Sequence, residues 1–131
     1  LEEDEPALPS GCRLVNERNR RTTLCLQPRT RDAAAQHCDS VGMTLVTIDD
    51  EQDNTILFRA SNRTTPWIGL SDARREGEWV WDSRTSGYVN WNNGEPNNWG
   101  NNEDCVQFTI NGRWNDAFCG QRLMFFCEDP R

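Results

Sequence analysis

Apolar residues recur with a helical period in two stretches of the first half of the chain. In the segment 31–41 they are spaced by four and three residues, with Thr30 as a candidate N-cap and Gly42 as a stop. Along this face they are Ala34, Cys38 and Val41. Asp49, with a glutamine three residues later, resembles a capping box that opens a second helix ending near Arg59. The pattern therefore predicts two helices.

Short runs of aromatic and β-branched residues predict strands along the rest of the chain. A hairpin is predicted at 11–27, with one cysteine in each arm, and further strands at 45–48, 67–70, 78–81, 88–91, 106–110 and 123–127. Asn111-Gly112 supplies a tight turn that sends the chain back along the preceding strand. The tryptophans of these strands are interpreted as packing residues: Trp67, Trp79, Trp81, Trp91 and Trp114. Helices followed by antiparallel strands indicate an α+β domain.

The stretch 92–104 is too long for an ordinary connection in a compact domain, and it is rich in asparagine, glycine and acidic residues. Apolar burial does not hold a loop of this composition, and long loops in compact domains are usually functional. The predicted hairpin returns Asn115 and Asp116 to the end of this loop, beside Glu103 and Asp104. The sequence therefore predicts a polar centre built jointly by the loop and the hairpin.

Oxygen-bearing side chains are concentrated at this centre: Glu95, Asn97, Glu103, Asn115 and Asp116. Carboxylates brought this close together require a neutralising partner. Calcium is the predicted cation, because it takes about 6 to 8 oxygens from carboxylates, amides and water in irregular geometry. Zinc is disfavoured, because cysteine and histidine are not available to serve it here.

The net charge of −7 and the sequence pI of 4.7 argue against a nucleic-acid binder, which needs a basic stripe. Acidic residues open the chain, so 1–10 is expected to be a solvated tail or linker ahead of a single domain at 11–131. The small basic cluster Arg18, Arg20 and Arg21 is interpreted as a solvated loop or hairpin edge. Neither an apolar run near the roughly 20 residues of a membrane span nor a signal peptide is found, which indicates a secreted protein or an extracellular ectodomain.

Six cysteines without a C-x-x-C pair predict three disulfides in an oxidising compartment, and they disfavour metal or redox chemistry. Spacing alone leaves the pairing open, because six cysteines allow many connectivities. The tripeptide beginning at Asn62 is a candidate N-glycosylation sequon, which agrees with secretion.

Catalytic interpretations find little support. His37, the single histidine, has no accompanying acid or nucleophile pattern and is expected to be structural. Glu95 and Glu103 can be compared with the carboxylate pair of a glycosidase, but a bound cation would hold both ionised and leave no general acid. We therefore expect a binding domain and not an enzyme.

Three short motifs occur in the order typical of one family: Trp67-Ile68-Gly69-Leu70, Glu95-Pro96-Asn97 and Trp114-Asn115-Asp116. With the cysteines and the acid before Cys105, they make the stretch from Cys12 to Glu128 resemble the C-type lectin family. The resemblance implies two helices and two small antiparallel sheets with a long calcium-binding loop region. It also implies a cis bond before Pro96 and the pairs Cys12–Cys25, as in the long form, Cys38–Cys127 and Cys105–Cys119.

The resemblance further implies that the residues of the polar centre bind one Ca²⁺ and a sugar together. The sugar-binding residues it implies are Glu95, Asn97, Glu103 and Asn115, with carboxylates accepting hydroxyl protons and amides donating to hydroxyl oxygens. The Glu-Pro-Asn motif implies mannose, N-acetylglucosamine or fucose. Trp99, however, resembles the residue that stacks on galactose, so both sugar classes stay open. One shallow site binds a monosaccharide weakly, so avidity for glycans would require several copies.

A second, weaker calcium site is implied at Asp72, Glu76, Asp104 and the backbone carbonyl of Glu103. Asn98 stands where many members have aspartate, and one fewer negative ligand lowers the affinity expected there. Arg74 and Arg75 act in the same direction. The alternative function is a calcium-independent, protein-binding domain of the same fold, but the presence of all five principal ligands favours sugar binding.

Overall fold

The computed structural model describes residues 8–18, 20–98 and 102–130, so most of the predicted acidic tail lies outside the described residues. Two helices and eight strands follow one another along the described chain. They are β1 Cys12–Asn16, β2 Thr22–Arg29, α1 Arg31–Asp39, β3 Thr44–Leu45, α2 Glu51–Ser61, β4 Trp67–Ser71, β5 Val80–Trp81, β6 Cys105–Phe108, β7 Trp114–Ala117 and β8 Leu123–Glu128. The predicted α+β class is confirmed.

Helix α1 begins as the sequence predicts and ends two residues earlier than predicted, at Asp39. The Thr30 hydroxyl accepts a hydrogen bond from the Ala33 N–H at 3.3 Å and so caps the helix. Beyond the helix the chain turns through Gly42, whose φ of +78° is a conformation that glycine adopts without a steric penalty.

Helix α2 begins one residue later than predicted, because Asp50 and not Asp49 is its N-cap. The Asp50 Oδ1 atom accepts from the Asp53 N–H at 2.9 Å. Asp49 is instead paired with Arg20 and Arg84, so the prediction of the cap was wrong by one position. Local sequence could not separate two adjacent aspartates, since ion pairs from distant segments decide between them.

Three predicted strands are shorter in the structure. Strand β3 ends at Leu45, strand β5 begins only at Val80, and β6 ends at Phe108. Glu78 is not in a strand because its N–H closes a turn onto the Arg75 carbonyl at 2.9 Å. The prediction that a strand continues to Ile110 was wrong: the turn that leads to β7 begins there, and Ile110 is exposed.

The predicted strand 88–91 is not formed, and only Trp91 makes an isolated bridge, to Trp114. The Trp114 N–H donates to the Asn90 carbonyl and its own carbonyl accepts from the Asn92 N–H, both at 2.8 Å. The pairing stops there because the Glu95 N–H bonds back to the Asn92 carbonyl at 3.0 Å and turns the chain away. Strand-like composition at 88–91 therefore reflects packing against Trp114.

The strands form one continuous path in the order β1-β2-β8-β4-β6-β7, with β3 beside β8 and β5 beside β4. The resemblance implied two separate small sheets. Here a parallel contact between Trp67 of β4 and Phe125 of β8 joins them, while the other neighbours are antiparallel. The short β5 is a fourth strand beside β4, β6 and β7, which form the functional half of the domain, the half that carries the predicted polar centre.

Two buried clusters lie on opposite faces of this path, because successive residues of a strand point to opposite sides. Phe126 packs with Leu57 of α2, whereas the neighbouring Phe125 packs with Ala34 of α1. Each helix therefore covers one face. Three disulfides are present with the implied pairing: Cys12–Cys25, Cys38–Cys127 and Cys105–Cys119.

Trp114 is the aromatic centre of the functional half of the domain. It is fully buried, and the rings of Trp81, Tyr88 and Trp91 meet it edge-on at 5.5 to 6.1 Å. Its indole N–H donates to the buried Asn54 side chain at 2.8 Å, which satisfies the one polar group of the ring. The predicted packing role of the tryptophans agrees with these contacts.

The interpretation of the basic cluster as a solvated edge holds for the exposed Arg18 but was wrong for Arg20 and Arg21, which are mostly buried. Each arginine is bound to an acid from another part of the chain. The pairs are Arg18–Asp53 at 2.7 Å, Arg20–Asp49 at 3.0 Å and Arg21–Asp129 at 2.8 Å. The cluster therefore ties the first hairpin to α2 and to the end of the domain.

Glu128 lies at the centre of this ionic network and is only 1% exposed. Arg84 and Arg20 approach its carboxylate at 3.3 and 3.8 Å, and the Ser83 hydroxyl donates to it at 3.3 Å. Burial raises the pKa of Glu128 to about 7, and the two arginines offset this only in part. The folded state therefore keeps Glu128 protonated up to a higher pH than the unfolded chain does.

Glu128→Gln should change the pH dependence of stability. A carboxyl with a raised pKa contributes stability fully below its ordinary value and loses it as the pH rises through about 7. The amide stays neutral throughout, so the variant should match the parent near pH 4.5. Its free energy of unfolding should exceed that of the parent at pH 8 by on the order of 2 to 3 kcal/mol.

Urea unfolding at both pH values measures this difference, with the exposed Glu17→Gln as control. A variant less stable than the parent at pH 8 would show that the arginine pairs outweigh burial.

Candidate functional site

The β6–β7 hairpin sets the position of two predicted ligands. Its register pairs Val106 with Asp116 and Gln107 with Asn115, so the end of the long loop meets the end of β7. The Cys105–Cys119 disulfide links the start of β6 to the residues after β7. In the chain-entropy model a loop of this size contributes about 3 kcal/mol, which holds the base of the site together.

The described first part of the long loop, 92–98, is bonded to the Asp116 carboxylate, which is 0% exposed. The Asn97 N–H donates to Asp116 Oδ1 at 3.1 Å, and the Asn98 N–H donates to Oδ2 at 2.7 Å. The peptide bond between Glu95 and Pro96 is cis, as the resemblance implied. Asp116 therefore brings the Glu-Pro-Asn segment to β7 through the backbone, a role that the sequence did not reveal.

Glu95 lies directly against Asp116, and its Oε1 atom is buried without a hydrogen-bond partner. The pKa of Glu95 is raised to about 7, and burial is the main cause. Contact with the Asp116 carboxyl and its negative charge add to the rise, and the charge of Glu103 adds less. Two facing carboxylates with an unsatisfied buried oxygen are a site that a cation would stabilise. The residues present therefore fit the calcium that the family implies.

Asn98 joins the two sides of the loop. Its Oδ1 atom accepts from the Glu103 N–H at 3.1 Å, and its backbone is left-handed, with φ of +46°. Asparagine adopts this region more readily than most residues, because its side chain bonds locally. The sequence pointed to Asn98 only as a position of the second metal site. The local signal for its bridging role is an asparagine in a loop rich in asparagine and glycine.

A tighter acidic cluster lies beside the principal site. Ligand oxygens of Asp72, Glu76 and Asp104 all lie within 4.8 Å of one another, whereas those of Glu95, Glu103 and Asp116 are not gathered so closely in the described chain. Oδ1 of Asp72 and Oδ1 of Asp104 are buried without partners, and burial raises the pKa of both carboxyls. The site expected to be weaker is therefore the one whose acidic groups are closest together.

The backbone ties this acidic cluster to the principal site. The Asp72 N–H donates to the Asp104 carbonyl at 3.0 Å, and Asp72 Oδ2 accepts from the Gly77 N–H at 2.8 Å. Asp104 directly follows Glu103, so the two candidate metal sites share one segment of chain. Their side chains are positioned by β4, β6 and the turn after β4.

The remaining predicted residues are placed as follows. His37 lies near the Cys12–Cys25 sulfurs, which are already bonded to each other, so no metal ligand set results. Its ring contacts the Ser10 carbonyl at 2.7 Å and the edge of Phe125, which agrees with a structural role. Asn62 caps the end of α2 and is exposed. Trp99 lies outside the described residues.

The model of the Lectin C-type domain family matches residues 27–129. The chain therefore belongs to the C-type lectin family, and this confirms the resemblance. It is 45% identical over 93 residues to the low affinity immunoglobulin epsilon Fc receptor of Mus musculus, covering 70% of this chain and 28% of the receptor. It is 40% identical over 102 residues to the hepatic lectin of Gallus gallus, covering 74% and 48%. The chain thus spans less than half of each relative.

Among solved structures, the domain is similar to the cow C-type carbohydrate-recognition domain of CD23, crystallised in the presence of a GlcNAc2Man3 oligosaccharide. The TM-score is 0.82 at 29% identity, with 97% of this chain and 98% of the other covered. The domain thus has the fold of the C-type lectin domains. The comparisons indicate no enzymatic family. Neither described helix has both the length and the apolar composition that crossing a bilayer requires.

Glu95→Gln should stabilise the calcium-free domain at alkaline pH. Ionised Glu95 opposes folding as the pH rises through about 7, because it is buried against Asp116. Solvent screening limits the gain to on the order of 1 kcal/mol, and the gain should vanish near pH 4.5. Thermal melts with chelator at both pH values measure it.

The same variant should lose most of the stabilisation that added calcium gives the parent, because a ligand of the ion is missing. Glu17→Gln is the matched control, since it removes one exposed carboxylate outside the site. If Glu95→Gln and Glu17→Gln behave alike with and without calcium, Glu95 has no part in the site.

Proposed function

We propose that the domain binds carbohydrate in a calcium-dependent manner through the residues predicted from the sequence: Glu95, Asn97, Glu103, Asn115 and Asp116. The observation that carries this proposal is the buried, unpartnered Glu95 oxygen against the fully buried Asp116 carboxylate. Such a pair is costly without a cation and favourable with one. The described segment around Glu95, Asn97 and Asn98 is also held on Asp116 by backbone hydrogen bonds, so little of it needs to be rearranged.

When bound, the ion supplies coordination positions that two neighbouring sugar hydroxyls can fill. The chain's own residues then form hydrogen bonds with these hydroxyls. Glu95 and Glu103 accept the hydroxyl protons, while the amide groups of Asn97 and Asn115 donate to the hydroxyl oxygens. Each Asp116 oxygen accepts one backbone N–H group and keeps further acceptor capacity, so Asp116 can hold the loop and also serve the ion.

The Glu-Pro-Asn motif favours mannose, N-acetylglucosamine or fucose as the sugar. The cow structure named above was obtained in the presence of a mannose-containing oligosaccharide, which supports that choice. Galactose stacked on Trp99 is the competing specificity. The buried acidic site gives no support to an enzyme, because a cation there would keep both glutamates ionised.

A calcium-independent protein-binding domain is the second candidate function. The mouse relative is named as a receptor for immunoglobulin epsilon, which is a protein ligand. The hydrogen bonds from the Asn97 and Asn98 backbone to Asp116 also hold this part of the loop through the chain's own groups. The two functions are separated by whether ligand binding survives chelation.

We further propose that the protein is extracellular and that several copies of the domain bind glycans together. Three disulfides require an oxidising compartment, and the exposed Asn62 sequon is compatible with glycosylation there. A single shallow site should bind a monosaccharide with a Kd on the order of 1 mM, so useful avidity requires a multivalent arrangement.

Retention on immobilised sugar tests the proposed function. The domain should be held on mannose resin in calcium, be released by chelator and be held less well on galactose resin. Glu103→Gln should lose retention, because it removes both an ion ligand and a hydroxyl acceptor. Glu17→Gln should behave like the parent. Retention that chelator does not affect would favour the protein-binding function, and preference for galactose would reverse the sugar assignment.

Acidification should also release the sugar. Carboxylate ligands hold calcium only when deprotonated, so protons compete with the ion as the pH falls. At pH 4.5 retention on mannose resin should drop at least tenfold from its value at pH 7.5, and excess calcium should restore part of it. Circular dichroism at pH 4.5 checks that the fold persists. Sugar binding unchanged at that pH would contradict the carboxylate site.

A further inference from the structure

Two adjacent arginines stand on a turn beside the candidate sugar site. Arg74 and Arg75 line an open cleft of about 270 Å³ together with Glu78 and Val80. Both arginines are exposed. Arg74 makes no hydrogen bond or ion pair with the described residues, and Arg75 has only a 3.7 Å contact with the exposed Glu78. These cations are not used to hold the fold.

The other pair of adjacent arginines shows the contrast. Arg20 and Arg21 are largely buried and are bound to Asp49 and Asp129 at 3.0 and 2.8 Å. All 14 of the chain's Lys and Arg positions are arginine, and Arg18, Arg31 and Arg84 are likewise paired with acids from distant segments. Two exposed guanidinium groups side by side, of which the described residues leave one unpaired and one in a single long ion pair, therefore form a distinct surface feature.

The turn that carries these arginines is held firmly. The Arg75 N–H donates to the Asp72 carbonyl at 3.1 Å, and the Glu78 N–H donates to the Arg75 carbonyl at 2.9 Å. Asp72 Oδ2 accepts from the Gly77 N–H, and Gly77 has a φ of +81°. Within the described residues neither arginine forms an ion pair with Asp72, Glu76 or Asp104, so these acids do not neutralise the arginine charges.

Strand register places the cleft beside the sugar site. Val80, Ser71 and Cys105 lie in one row across β5, β4 and β6, so Val80 and Cys105 are separated by two strand spacings, or about 10 Å. The turn 72–79 and the loop that carries Glu103 leave the sheet at the same end. Asn115 and Asp116 of the principal site lie on β7, one strand beyond β6. The terminal sugar at that site is therefore not the part of a glycan that could contact the arginines, but its next residues could.

We propose that Arg74 and Arg75 form a subsite for an anionic substituent, a sulfate or a carboxylate, on a glycan held at the calcium site. The proposal rests on the proposed function, since the neutral end of the glycan must bind first. The planar guanidinium group matches both kinds of anion with two parallel hydrogen bonds. Arg75 can exchange Glu78 for the ligand at little cost, because an exposed ion pair of this length is weak.

The test compares three mannose-terminated trisaccharides that are neutral, sulfated or sialylated on the second or third residue. In calcium and low salt, calorimetry should find at least one charged glycan bound about five- to tenfold tighter than the neutral one. High salt should shrink that difference, because the cleft is exposed. Comparison of the sulfated with the sialylated glycan identifies which anion the subsite binds.

Three variants make the test specific. The double variant R74Q/R75Q should bind the neutral glycan like the parent and lose the preference for charge, and Glu78→Gln should increase that preference. The double variant R63Q/R122Q removes the same charge at exposed positions outside the turn and should change nothing.

Normal binding of the neutral glycan with no charge preference, or a preference that R74Q/R75Q retains, would overturn the subsite and leave the proposed function intact. Chelator-resistant binding of the charged glycans would overturn it too. No calcium-dependent binding of any glycan would refute the proposed function and the subsite with it.

Discussion

The buried carboxylate of Asp116 is the group on which the functional half of the domain depends. Both of its oxygens accept backbone N–H groups from the Asn97 and Asn98 positions, at 3.1 and 2.7 Å. A charged group that is 0% exposed must be paired or hydrogen-bonded, and here the partner is the loop itself. The loop is thus shaped by the need to satisfy one aspartate, and Glu95 is brought against the same carboxylate as a consequence.

This arrangement needs a rigid base, which the hairpin and its neighbours provide. Trp114 precedes the site on β7, is fully buried, and has its indole N–H bound by Asn54 of α2. The same strand bonds through its backbone to Asn90 and Asn92, which lead into the loop. Packing, hydrogen bonds and the Cys105–Cys119 bridge therefore hold both ends of the site while the charges at its centre repel one another.

The acidic groups are distributed in two neighbouring sets with different chemistry. Glu95 and Asp116 lie beside Asn97 and Asn115, whose side-chain amides are able to donate to a sugar. Asp72, Glu76 and Asp104 instead form a compact group of acids alone. Asp104 and Glu103 are consecutive, so the two sets share one segment of backbone. The exposed arginines of the adjoining turn extend this surface with the opposite charge.

The sequence by itself determined the family, the two helices, the disulfide pairs implied by the resemblance and the segments that carry the site. Motifs, cap residues and the Asn111-Gly112 turn are local signals, because their meaning depends on neighbours in the chain. Only tertiary structure decided that Asp50 caps α2, that 88–91 packs without forming a strand, and that Arg20 and Arg84 meet Glu128 in the interior. It also decided that Asp116 holds the loop through the backbone and that Asn98 connects its two sides. The physical reason is that burial and hydrogen bonds between distant segments set these roles, and one-dimensional spacing does not record them.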